Sequence, residues 1–142
     1  MGTAPFVLSQ RVRPRHCDAQ GMVYAGRYHE FCEDAFLDLL EQLGVPYQRW
    51  RDQGVDLVIS EAHYRYQRPA HLDDHLSVAV RAEVETESTV VASLGVGRGS
   101  EQLVTALIRF VAVRGGRRCP VPQELAGPIA TAFPEGSVQT RA

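Results

Sequence analysis

The sequence predicts an α+β domain in which an early strand leads into one long helix and a run of four strands follows. Two observations carry this reading. Apolar residues recur at spacings of three and four between Arg27 and Leu43, and from Val55 onward the period changes to two. A chain of 142 residues has the common size of one domain and is long enough to bury a core, so a second catalytic domain is not expected.

Residues Met1 to Pro5 read as a loose start. Phe6 to Arg15 sets Val7, Ser9, Arg11 and Arg13 against Leu8, Gln10 and Val12, which predicts a strand with a charged face. Arg27 to Leu43 aligns Tyr28, Phe31, Cys32, Ala35, Phe36, Leu39 and Leu43 along one stripe, an amphipathic helix closed by Gly44 and Pro46. Its other face carries His29, Glu30, Glu33, Asp34, Asp38 and Glu41 and reads as solvated, with Glu33 bordering the buried stripe. Tyr47 to Gln53, containing Trp50 and ending at Gly54, forms a short helix or an irregular flap.

Asp56 to Arg68 is the next strand. Leu76 to Thr86 follows, with Leu76, Val78, Val80, Ala82 and Val84 on one face and Ser77, Arg81, Glu83 and Glu85 on the other. Thr89 to Val96 and Leu103 to Arg114 complete the run. The last strand is apolar on both faces, and a single helix covers only one face of a sheet, so the second face is expected to meet another subunit or layer. After Gly115 and Gly116 the chain turns to Pro120, Pro122, Pro128 and Pro134 among small residues. This predicts one domain over 1–127 and a mobile tail over 128–142.

Composition narrows the function. The 15 basic and 17 acidic residues give a net charge of −2 without a basic block, which makes nucleic acid a poor partner. Every basic residue among the 15 is arginine, so Schiff-base and P-loop lysine chemistry are excluded. Cys17, Cys32 and Cys119 lack a C-x-x-C spacing, which points away from a disulfide framework or zinc knuckle and toward a reducing compartment. Neither a leader pattern nor an apolar run of membrane length is present, so a soluble cytoplasmic protein without membrane insertion is expected.

Several motifs are set aside. Gly95 to Gly99 lies between strands and reads as a hairpin rather than a phosphate loop. No G-x-S-x-G elbow occurs, and His16 and Cys17, adjacent in an extended segment, point to opposite faces. His71 and His75 have a helical metal spacing but follow Pro69 at an expected turn, so no metal and no cofactor are expected.

What remains is Asp18. Asp18-Ala19-Gln20-Gly21 fits a type I turn, and it lies just upstream of a helix start whose free backbone N–H groups and dipole polarise a carbonyl. A carboxylate there can attack a thioester carbonyl or activate water, while helix N–H groups hold the oxyanion. Thiolate leaves readily, so one carboxylate with a helix dipole suffices without a triad or a metal.

The run Asp18-Ala19-Gln20-Gly21-Met22-Val23-Tyr24, followed by Tyr28 and Glu33, resembles the signature of hot-dog-fold thioesterases of the 4-hydroxybenzoyl-CoA thioesterase type, which include acyl-CoA thioesterases linked to the Tol-Pal system. The resemblance covers residues 7–125 and includes Glu61 to Asp74. It implies a five-stranded antiparallel sheet wrapped around one long central helix, paired as a homodimer with interface active sites and often as a homotetramer. It also implies Asp18 as nucleophile or general base, the Ala25 backbone N–H as oxyanion donor, and Tyr24 beside the acyl pocket. Ala25 departs from the histidine common in Tol-Pal-linked members, and Glu33 matches a family glutamate that is a secondary acid candidate.

The expected activity is hydrolysis of an acyl-CoA or acyl-carrier-protein thioester; the alternative is a non-catalytic acyl-CoA-binding module. Tyr28, Tyr64, Arg65 and Arg68 are the expected substrate contacts. Arg65 and Arg68, with Arg117 or Arg118, suit the phosphates of a CoA nucleotide through their planar forks.

Overall fold

Five long strands curl around one helix in the computed structural model, which describes residues 4–134. The order is β1 (Phe6–Arg11), α1 (Ala25–Gln42), α2 (Tyr47–Asp52), β2 (Val55–Tyr66), β3 (His75–Thr86), β4 (Thr89–Arg98), β5 (Glu101–Arg114), β6 (Arg117–Arg118) and α3 (Gln123–Ala132). Every pairing is antiparallel, in the order β1-β3-β4-β5-β2, with the short β6 added to β5. This is the hot-dog arrangement expected from the sequence.

The sheet curls around the α1 stripe. Tyr28, Phe31, Cys32, Ala35, Phe36, Leu39 and Leu40 are all buried, against an inner sheet face that includes Val78, Val80, Ala92, Leu94, Ile108 and Phe110. Phe36 stacks on Phe110 with ring centroids 4.3 Å apart. Full burial of side chains of this size contributes about 1.5–3 kcal/mol each, which makes this contact the main stabilising layer.

Three segments are settled by local chemistry: two boundaries differ from expectation, and the Trp50 segment takes the short helix, one of its two expected forms. Strand β1 stops at Arg11, because Pro14 has no N–H to give the ladder and opens a 3-10 turn over Pro14–His16. In that turn the Arg13 N–H donates to His16 Nδ1 at 2.9 Å. The segment around Trp50 is helical, and the fully buried indole donates from Nε1 to the Val45 carbonyl at 3.1 Å.

The third concerns the chain end. The expected boundary at 127 falls inside α3, whose Leu125 and Ile129 are buried together with Phe133 just beyond it. Pro122 sits at the N-cap of α3, where no N–H is required, so it starts a helix instead of ending the fold. Arg49 on α2 reaches Glu124 on α3 at 2.8 Å and ties the two helices together. Residues 135–142 of the expected tail lie outside the described residues.

One irregularity in β2 decides which side chains face the helix. Register shifts between Ile59 and Glu61, so Ile59 opposes Phe110 while, beyond the shift, Tyr64 opposes Ala106 and Arg65 opposes Thr105. The extra residue keeps Tyr64 and Tyr66 on the inner face and sends Glu61, His63 and Arg65 outward. On the outer face Val91 and Leu107 form a separate small apolar cluster. Beside it Arg109 bonds both oxygens of Glu85, at 2.7 and 2.9 Å, and Glu61 at 2.6 Å. Among the described residues no helix is long and apolar enough to cross a membrane.

Candidate active site

Two short loops meet where α1 begins. The first is the Asp18 turn, closed by Gly21 N–H donating to the Asp18 carbonyl at 3.1 Å, with Gly21 at φ +78°, a value that favours glycine. Asp18 Oδ1 accepts the Gln20 N–H at 2.9 Å and the Met22 N–H at 3.2 Å. Two amides thus aim an exposed carboxylate whose Oδ2 takes no hydrogen bond among the described residues.

The second loop, 69–74, clamps the first. Val23 N–H donates to the Ala70 carbonyl at 2.9 Å, Leu72 N–H to the Gly21 carbonyl at 3.0 Å, and Met22 pairs with His71. It is fastened to the helix as well, because Ala70 N–H donates to the Tyr28 hydroxyl at 3.0 Å. His71 to Asp74 is the tight turn that Pro69 leads one to expect, with the His71 N–H on Asp74 Oδ2 at 2.8 Å.

Helix α1 starts at Ala25 with no side-chain cap from Tyr24, so its first amides keep their donor capacity. The Tyr24 ring lies over this turn at 63% exposure, and a Cβ at Gly26 would meet it at 3.0 Å. A groove of about 280 Å³ opens alongside. Val23, Ala25 and Tyr28 line one side, and Tyr66, Gln67, Arg68 and Pro69 the other.

Aromatic rings continue from the groove along α1. Tyr28 and Tyr66 have centroids 5.8 Å apart, Tyr66 and Tyr64 stack at 6.0 Å, and the Tyr64 hydroxyl meets His29 Nδ1 at 2.6 Å. Burial pushes the Cys32 thiol beneath them up to about 12, which leaves it inert. Burial, and then the Asp18 charge, also raise the Cys17 thiol, and its Sγ lies 3.7 Å from the Arg13 carbonyl rather than against His16. Burial lowers the pKa of His16, in keeping with a neutral ring accepting at Nδ1. A thiol–imidazole pair is therefore not formed here.

Residues 12–129 match the thioesterase-like superfamily. The chain belongs to that superfamily. A 1,4-dihydroxy-2-naphthoyl-CoA hydrolase of Thermosynechococcus vestitus is 27% identical over 124 residues, spanning 84% of this chain and 85% of the relative. A hypothetical protein from Aquifex aeolicus superposes with a TM-score of 0.85 at 28% identity, covering 88% of this chain and 99% of that one. A 1,4-dihydroxy-2-naphthoyl-CoA thioesterase from Synechocystis reaches 0.84 at 20% identity over 88% and 95%, which shows the shared fold. The superfamily is a broader grouping than the 4-hydroxybenzoyl-CoA and Tol-Pal-linked type that the sequence resembles.

Of the residues expected from sequence, Ala25, Tyr28 and Arg68 line the groove. Asp18 is joined to it through the two loops, Tyr24 stands exposed at the helix start, and Tyr64 lies behind Tyr66. Glu33 is exposed on α1. Arg65, beyond the bulge in β2, lies on the outer face opposite Thr105 and is not among the residues lining the groove. Arg117 and Arg118 form the short β6. Arg68 N–H bonds the Leu103 carbonyl whereas Arg118 pairs with Val113. At about 3.4 Å per residue those two positions on β5 stand roughly 30 Å apart, too far for the arginines to share one nucleotide within a subunit. Sequence reasoning missed Tyr66, Gln67 and Pro69 as groove walls; the alternation of Tyr64 with Tyr66 was the available signal for the first.

Proposed function

We propose that this superfamily member hydrolyses an acyl-CoA thioester to free acid and thiol. The observation that carries the reading is the Asp18 carboxylate, oriented by two amides in a turn that the 69–74 loop fastens to the groove at the start of α1. The thioester carbonyl would lie against the Ala25 N–H, which takes the oxyanion as Asp18 attacks the carbonyl carbon or draws a proton from water. The tetrahedral intermediate then collapses, the C–S bond breaks and the thiolate departs to take up a proton. Where Asp18 is the nucleophile, water then cleaves its mixed anhydride to release the acid; where it is the base, the water it deprotonates has attacked the carbonyl and supplies the acid's oxygen. Tyr24 borders the carbonyl, and Tyr28, with Tyr64 behind Tyr66, forms the wall for the acyl group.

Coenzyme A as the thiol carrier is supported by the naphthoyl-CoA hydrolase relative. A groove of about 280 Å³ suits an acyl-pantetheine segment with the nucleotide at the surface, and the exposure of Arg68, 66% despite its 3.5 Å ion pair with Glu101, supports it as a contact for the phosphates. Strand β2 forms an edge of the sheet beside the groove, which supports a homodimer paired along that edge. The outer cluster of Val91 and Leu107 supports a further, tetrameric contact. Free Cys17, Cys32 and Cys119 fit a reducing, cytoplasmic setting.

Asp18→Asn tests the reading. Asparagine keeps an acceptor for the turn amides and loses the charge, so kcat should fall by at least about 10²-fold with a much smaller change in KM. A folded variant retaining most of its rate would reduce Asp18 to a turn residue and make Glu33 the first acid to examine.

A further inference from the structure

We propose that Arg98, at the end of β4, is a positioning residue for this reaction, acting through the 69–74 loop on Asp18 and on the start of α1. The proposal rests on the reading of Asp18 given above. Arg98 Nη1 donates to Asp74 Oδ2 at 2.6 Å and to the Pro69 carbonyl at 3.4 Å. Its Nε and Nη2 both reach Glu101 Oε1, at 3.2 and 3.0 Å. One guanidinium therefore grips both ends of the loop and anchors it to the β4–β5 hairpin. At 28% side-chain exposure against 22% for Asp74, the contact is more sheltered than a surface pair.

The loop so held has two attachments that matter for chemistry. Through Ala70 carbonyl, His71 and Leu72 it carries Val23, Met22 and Gly21, and Met22 N–H is one of the amides that orient Asp18. Through Ala70 N–H it meets Tyr28 on α1, one turn from Ala25. It also bonds β1's extension, with Val12 N–H on the Asp74 carbonyl and Asp73 N–H on the Val12 carbonyl. Arg98 thus holds the loop to which the segment between the carboxylate and the oxyanion donor is hydrogen-bonded.

The Asp74 carboxyl responds as a held group should. Burial alone would raise its pKa, but the His71 N–H and the Arg98 guanidinium together keep it below the usual range. Lysine at 98 would offer a point charge in place of the fork that serves two carboxylates and a carbonyl at once. A displacement of about 1 Å between reacting groups is enough to cost on the order of 10²-fold in rate.

The test is a double-mutant cycle measured as kcat and KM on an acyl-CoA substrate. Arg98→Ala should lower kcat by about 10-fold or more while KM changes less than about 3-fold. In the Asp18→Asn background the same change should cost at least about 3-fold less, because one of the two groups it positions, the carboxylate, is already absent while the Ala25 N–H remains. A merely structural role has no reason to respect that background, so equal losses in both would overturn the proposal with the Asp18 reading intact. A wild-type rate in Asp18→Asn alone would instead overturn the reading itself and Arg98's role with it. Should Arg98→Ala not fold, Asp74→Asn runs through the same cycle with the same expected and contrary outcomes.

Discussion

The hydroxyl of Tyr28 joins the helix to the loop behind the candidate site. Its ring packs between Phe31 and Tyr66, and its oxygen accepts the N–H of Ala70, a residue with no exposed surface. Burial pushes the hydroxyl's pKa up, so it stays neutral in this position. Tyr28→Phe would keep the packing and strand the Ala70 amide, at a cost of about 1–3 kcal/mol. Urea unfolding should show this as a lower midpoint at unchanged slope; an unchanged midpoint would mean that Ala70 finds another acceptor. At this scale the sequence was legible where geometry is local: the turn at Asp18 and the helix start just after it stand where the residue types put them. It was illegible where a partner is remote, as for Arg98 and Asp74, which meet across a hairpin although nothing in their spacing pairs them.

At the scale of elements, periodicity carried most of the fold. The α1 stripe from Tyr28 to Leu39 matches the buried face of the helix, with Leu40 joining it and Leu43, half-buried, standing just past the helix end. Two devices defeated the same reasoning. A bulge in β2 changes side-chain parity in mid-strand, so alternation counted from Ile59 would put Arg65 on the inner face, whereas beyond the shift Tyr64 and Tyr66 take that face and Arg65 points outward. Helix α3 was hidden by its prolines, which read as an ending although Pro122 is a helix start and Pro128 lies within the helix. The apolar residues Leu125, Ile129 and Phe133, four apart, were the stronger signal, since burying them outweighs the hydrogen bond that Pro128 forfeits.

For the whole molecule, the sheet of one chain has β1 and β2 at its edges. Strand β2 ends the sheet beside the groove, with Val58 49% and Tyr66 54% exposed along it. A second copy pairing there would cover the edge and wall the groove from its open side. Sedimentation at micromolar concentration should give a dimer or tetramer; a stable monomer near 15.7 kDa would confine the site to one subunit. The central claim, that this groove breaks thioesters and does not merely hold them, is tested most directly by release of free thiol from a panel of acyl-CoA and acyl-carrier-protein substrates by the wild-type protein, read with a thiol reagent. The account predicts turnover on at least one acyl-CoA, and binding without thiol release across the whole panel would contradict it and leave an acyl-CoA-binding module.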